Sequence, residues 1–467
     1  MVSKFITILY LISLSATLWM IFRYQIRVDN VTVLKKVCGV FLGGYFLALM
    51  RIFINNYQWG KPLLFLAMLS FCPFILFIIF LFKKYDYKGD LSVLLLAFLL
   101  NSLGLVALYR LDINSTLFGQ EIPHALKHLV FSMISVLGIV VCVIKGFINV
   151  VLDKIESQTS YLYWGFVSII LLALPKIAGG SLMSQDKSIQ LTEFAFKIMF
   201  LIFIALYFKS RASELVLERY PLRDVLKLVA FVFVSIAIFF FFPIVLFNKE
   251  LGTALLIALT FIVIAAYVTD RVSFLVVGLM LIAFAISVGT LLDDHVAKRV
   301  FATWLDWRDY AFKPYGNGRL FPGYQIFTAI AAIKLSPWGV GLGNGILKHS
   351  SMDKTVVPLA VNDFISIPIV SELGIVALFI VGMAFIVLLV KVIPENRLLT
   401  FKGILAAGIG IALVTQAFYN LSSVIALLPP TGVPLPWVSA GGSAILANYI
   451  LVAVWLAISS EKEKTSL

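Results

Sequence analysis

Residues 364–391 read FISIPIVSELGIVALFIVGMAFIVLLVK. The run carries one internal charge, Glu372, and ends on Lys391. About 20 apolar residues suffice for a helix to cross a bilayer, so this stretch reads as a membrane span. Asp363 stands immediately before it.

Working outward, similar runs fall near 4–22, 38–56, 62–82, 91–110, 125–147, 160–177, 189–209, 224–247, 251–269, 272–292, 401–427 and 438–459. The expectation is an all-α polytopic helical membrane protein with about 13 spans. Composition agrees: the chain is 61% hydrophobic and 13% charged, with 40 Phe in 467 residues. A soluble domain is about 25% charged. An outer-membrane barrel would show short alternating segments instead. Cys38, Cys72 and Cys142 have unrelated spacings and read as packing residues.

The formal net charge of +13 would suggest nucleic acid in a soluble protein. Here the basic residues cluster in alternate short loops, so they report topology and no nucleic-acid partner is expected. One set of loops holds Arg23, Arg27, Lys35 and Lys36, then Lys83, Lys84 and Lys88, and later Arg271, Lys391, Arg397 and Lys402. By the positive-inside rule that set faces the cytoplasm, which puts the C-terminus inside and the N-terminus outside. Residues 293–363 then form a large outer loop rich in aromatics, including Trp304, Trp307, Tyr310 and Trp338. Connections this long are usually functional or disordered.

Ionisable residues inside apolar segments are costly and mark functional sites by default. Glu193 and Lys197 stand at i,i+4 in one span, Lys249 and Glu250 occupy a tight turn, and Asp363 and Glu372 lie at the start of another span. In the expected topology all six face one cavity open to the outer side. Each has a bland alternative: an ion pair for Glu193–Lys197, a helix-packing acid for Glu372, and an N-cap for Asp363. His124 and His128 read as interfacial residues without a third metal ligand. Gly339-Val340-Gly341-Leu342-Gly343 offers backbone N–H groups that could approach a phosphate, although no strand-to-helix context supports a nucleotide loop.

Five blocks together resemble the SEDS family, the FtsW/RodA cell-division and cell-elongation proteins. Ile189-Gln190-Leu191-Thr192-Glu193 with Lys197 is similar to V-Q-P-S-E…K, and Glu250-Leu251-Gly252-Thr253-Ala254 to Q-P-D-L-G-T-A. Tyr324-Gln325 with Gly339–Gly343 resembles Y-Q…G-G-x-x-G-x-G-L. Asp363-Phe364-Ile365 with Glu372-Leu373-Gly374 resembles D-F-I-F-S…E-E-L-G. The most specific block is Gly432-Val433-Pro434-Leu435-Pro436-Trp437-Val438-Ser439 with Gly441-Gly442-Ser443, against G-V-P-L-P-F-V-S-Y-G-G-S. Leu191-Thr192, Lys249-Glu250, Ser371 and Ala440 depart from these patterns.

The resemblance implies a ten-span core over residues 89–460, with residues 1–88 as three additional spans and 461–467 as a cytoplasmic tail. It implies a peptidoglycan glycosyltransferase in the cytoplasmic membrane that polymerises lipid II at the outer face, with a class B penicillin-binding protein as partner. Asp363 matches the family's key acid and is the expected catalytic base. Glu193, Lys197, Lys249, Glu250, Arg299, Gln325, Glu372 and Ser439 are the expected substrate-binding residues. Arg299 is the leading candidate for the leaving diphosphate, with Lys334 and Lys348 as further loop cations. A divalent cation, Mg or Mn, is the cofactor this chemistry would admit, without assigned ligands. The rival reading is a flippase for a lipid-linked precursor, without bond chemistry. The three additional spans, poor in polar residues, are expected to be peripheral to the core.

Overall fold

The computed structural model describes residues 2–55, 62–112, 122–177, 185–211, 251–292, 297, 300, 314–315, 319–320, 322–344, 361–393, 399–429 and 432–464. In chain order the helices are α1 (Val2–Arg23), α2 (Val31–Asn55), α3 (Pro62–Leu69), α4 (Phe71–Lys84), α5 (Ser92–Asp112), α6 (His124–Ile144), α7 (Phe147–Gln158) and α8 (Tyr161–Ile177). They continue with α9 (Gln185–Ser210), α10 (Leu251–Thr269), α11 (Val272–Leu292), α12 (Pro322–Leu335), α13 (Ser366–Leu373), α14 (Ile375–Val392), α15 (Phe401–Val424) and α16 (Gly442–Lys464). Two short strands, β1 (Pro314–Tyr315) and β2 (Arg319–Leu320), pair antiparallel.

The protein is an all-α polytopic membrane protein. Among the described residues nine helical segments are long and apolar enough to cross a bilayer. The expected span 224–247 lies outside the described residues. The expected span 364–391 is not continuous. It breaks at Gly374, whose φ of +82° is open to glycine at little cost. The break also needs glycine for space, because a Cβ there would stand 2.7 Å from the Trp338 carbonyl carbon. Glu372 therefore lies at a helix junction rather than deep in a single span.

Helix α5 is the axis of the bundle, with every residue except Arg110 buried. A helix apolar all round belongs inside a large assembly or against lipid, and packing decides which. Here α1, α2, α6, α14 and α16 all pack on it. Its Gly104 comes so close to the Val438 backbone that a Cβ would meet the carbonyl oxygen at 2.5 Å. Small residues permit this close approach of backbones inside membranes, where apolar burial alone gives little drive between helices.

The bundle has two polar ends. At one, Lys391 Nζ donates to the Tyr24 carbonyl (2.8 Å), Leu91 N donates to the Ile26 carbonyl (2.8 Å), and Lys402 pairs with Asp153 and Glu461. Several of the basic loops singled out by the sequence thus gather on one face. The start of α1, the end of α5 and the 361–374 segment stand at the other. Helix α12, inside the long loop, packs on α13 and α15 at that second end.

Candidate active site

Asp363 sits in the turn 361–365 that leads into α13. Three hydrogen bonds to consecutive carbonyls hold the turn. Ala440 N donates to Val361 O (2.9 Å), Ser439 Oγ to Asn362 O (2.6 Å), and Asn420 Nδ2 to Asp363 O (2.8 Å). Asp363 is partly exposed. Its Oδ2 lies 3.6 Å from where a Cβ on Gly432 would stand. The N-cap of α13 is Ile365, two residues on, so Asp363 does not occupy the cap position.

The loop 432–441 supplies the other wall. Its Ser439 is buried, accepts from Leu435 N (2.9 Å) and donates to Asn362 O, so it ties the two loops together. Trp437 adopts φ +60°, which is uncommon for a bulky residue. Such a residue costs of order 1–3 kcal/mol and persists only where its surroundings over-determine it. The indole is buried and stacks near Phe385, with Tyr449 close on another side.

Helix α15 links a second predicted residue to this wall. Asn420 also donates to Val433 O (2.8 Å), and Gln416, one turn earlier, donates to Pro434 O (2.7 Å). Lys197 Nζ donates to Gln416 Oε1 (3.3 Å). Lys197, Gln416 and Thr260 line a mostly apolar cleft between α9, α10, α15 and α16.

Glu372 has a different setting. Its Oε1 pairs with Arg110 Nε of α5 at 2.8 Å, and its Oε2 accepts from Gly343 N at 3.1 Å. Both side chains are nearly inaccessible. The Gly-rich stretch packs on the end of α13. Val340 N donates to Ser371 O and Gly341 N to Glu372 O, both at 2.9 Å. Every backbone N–H from Gly339 to Asn344 has a protein acceptor, so in this conformation the stretch presents no cradle for a phosphate. Its glycines allow close packing: a Cβ on Gly339 would meet Glu372 O at 2.5 Å.

Of the other expected binding residues, Glu193 lies in α9 and Gln325 in α12, while their side chains are outside the described residues. Lys249, Glu250, Arg299 and Lys348 also lie outside them. Lys334 is exposed at the end of α12. Among the described residues no three acidic, His or Cys side chains converge.

The sequence reading passed over Asn420, Gln416 and Arg110, and it placed His128 at an interface. The structure buries His128, with Nε2 against Asn101 Oδ1. Asn101 in turn donates to Tyr449 Oη (3.0 Å), and the Trp437 and Ser439 backbone lies against the imidazole. The available signal was uncharged polar residues inside apolar runs, which bond across helices in membranes.

These features define a multi-pass helical membrane protein in which the 361–365 turn, carrying Asp363, and the 432–441 loop meet at one end. A family model named FTSW_RODA_SPOVE and described as cell cycle protein matches residues 90–464. The chain belongs to that family. The enzyme named peptidoglycan glycosyltransferase RodA of Mycobacterium tuberculosis (strain ATCC 25618 / H37Rv) is 31% identical over 402 residues, covering 81% of this chain and 79% of that one. The protein named "Probable peptidoglycan glycosyltransferase FtsW" of Aliivibrio salmonicida (strain LFI1238) is 26% identical over 394 residues, covering 81% of this chain and 90% of that one. A solved chain described under structural coordination of polymerization and crosslinking by a peptidoglycan synthase complex matches with a TM-score of 0.50 at 18% identity. It covers 80% of this chain and 98% of that chain, a likeness of fold.

Proposed function

We infer that this chain is a peptidoglycan glycosyltransferase that polymerises lipid II into glycan strands, with Asp363 as its catalytic base. Family membership and the likeness to RodA and FtsW enzymes carry the activity. The observation that supports Asp363 is its turn: the backbone is fixed by Asn420, Ser439 and Ala440, while Asp363 is partly exposed. A base must be held in place yet reachable by the proton it takes.

In this reading Asp363 accepts the proton of the acceptor sugar hydroxyl. The freed oxygen forms a bond to the donor's anomeric carbon. The bond from that carbon to the diphosphate oxygen breaks, and undecaprenyl diphosphate leaves with the electron pair. Lys197, at the head of its cleft, supplies positive charge near the lipid-linked groups, and Arg299, Lys249 and Lys334 are proposed for the same task. Glu193, Glu250, Gln325 and Ser439 are proposed to orient the sugars and peptide, Ser439 through its hold on the Asp363 turn. A class B penicillin-binding protein is the proposed partner, in keeping with the synthase complex that shares this fold.

Purified protein given lipid II, with and without candidate penicillin-binding proteins, tests the reading. Polymer is expected, and a flippase would give none. The site is proposed to face outward, with the N-terminus outside and the C-terminus cytoplasmic. A cysteine placed within 300–350 should then react with an impermeant thiol reagent on intact cells, and one within 212–218 should not. The reverse pattern would overturn that orientation.

A further inference from the structure

We propose that the two N-terminal helices, outside the family match, are a positioning device: Ser3, Thr7 and Asn55 hold the Gly-rich loop against α13, the helix that follows the Asp363 turn. The proposal rests on the glycosyltransferase reading for its catalytic consequence. The family match begins at residue 90, so α1 and α2 are additions to the core. They pack on the core, α1 on α5 and α14 and α2 on α5.

Leu342 is held from both sides of its peptide by α1. Its N–H donates to Thr7 Oγ1 and its carbonyl accepts from Ser3 Oγ, both at 2.9 Å. The contact is buried. Gly341 makes room for it, since a Cβ there would meet Ser3 Oγ at 2.6 Å. At the end of α2, Asn55 Nδ2 donates to Gly343 O (2.8 Å) and to Asn344 Oδ1 (2.7 Å). The other side of the same loop is bonded to Ser371 O, Glu372 O and the Glu372 carboxylate. The loop is therefore clamped between the added helices and α13, which begins three residues after Asp363. A helix bundle surrounded by lipid gains little from apolar contact between helices, so specific polar contacts of this kind fix how α1 docks. Releasing Leu342 would loosen one support of α13, and with it the placement of the base.

The test uses full-length protein with three substitutions. Thr7→Val keeps the side-chain shape and removes the acceptor from Leu342 N. An unsatisfied buried donor predicts a loss of about tenfold in kcat, with the KM for lipid II little changed. Thr7→Ser retains the hydroxyl and should restore kcat. Leu14→Ala, seven residues further along α1 at a buried position, lowers stability without touching the loop and should leave kcat per folded molecule intact. The proposal is overturned if Thr7→Val keeps its kcat, or loses no more than Leu14→Ala does. Should the wild-type protein make no polymer, the enzymatic reading fails on its own, and amide exchange decides this one. Faster exchange in Thr7→Val at both 339–344 and 363–373 supports the clamp, and unchanged exchange at 363–373 overturns it.

Discussion

Asp363 and Glu372 are two acids on one short segment, and the structure treats them oppositely. Around Asp363 the surroundings bind the backbone: Ala440, Ser439 and Asn420 donate to the consecutive carbonyls of Val361, Asn362 and Asp363, and Asp363 is partly exposed. At Glu372 they bind the carboxylate: Arg110 takes one oxygen and Gly343 N–H the other, with the residue 4% exposed. A carboxylate held between a guanidinium and an amide and shut off from solvent suits architecture. A carboxylate on a fixed backbone with access to substrate suits proton transfer. Charge inside a membrane segment thus locates a polar region, and burial together with the neighbours of each acid separates the two roles.

The largest expected effect separates the two directly. Asp363→Asn keeps size and removes basicity, so polymerisation of lipid II should fall by about 10²–10⁴-fold, the usual share of a positioned base. Thermal unfolding in detergent should stay near that of the wild type, because the three bonds to the turn go to backbone carbonyls. Near-normal glycan synthesis would move the base elsewhere.

Glu372→Gln should do the reverse. Removing one partner of a buried ion pair typically costs about 3–5 kcal/mol of stability, because the other charge is left uncompensated. Unfolding temperature and yield should drop, while turnover per folded molecule should fall far less than in Asp363→Asn. Pairing it with Arg110→Gln should recover part of the stability, as expected for coupled neighbours in a double-mutant cycle. Additive losses would show that the pair is not the coupling.

The smallest effect sharpens the same contrast through glycines. Gly341→Ala puts a Cβ on Ser3 at φ +96°, a combination expected to cost about 1–3 kcal/mol. Gly138 in α6 has nothing within 4 Å of an added Cβ. Gly138→Ala should be neutral or stabilising by up to about 1 kcal/mol on helix propensity. Denaturation of both variants in one detergent checks the difference, and equal values would remove the packing role argued for the Gly-rich loop.

The sequence by itself determined the membrane class, most of the helix positions, and the blocks around Asp363, Lys197 and Ser439. Those signals are local: apolar runs, helical spacing, and motifs read along a few residues. Tertiary structure decided the break at Gly374, the pairing of Glu372 with Arg110, and the burial of His128 against Asn101. It also decided that the Gly-rich loop spends its N–H groups on protein acceptors and that the added helices grip it. The physical reason lies in sequence separation. Ser3 meets Leu342 across 339 positions and Arg110 meets Glu372 across most of the core. Whether a buried polar group is free for chemistry depends on which distant partner satisfies it, and no local pattern of hydrophobicity carries that information.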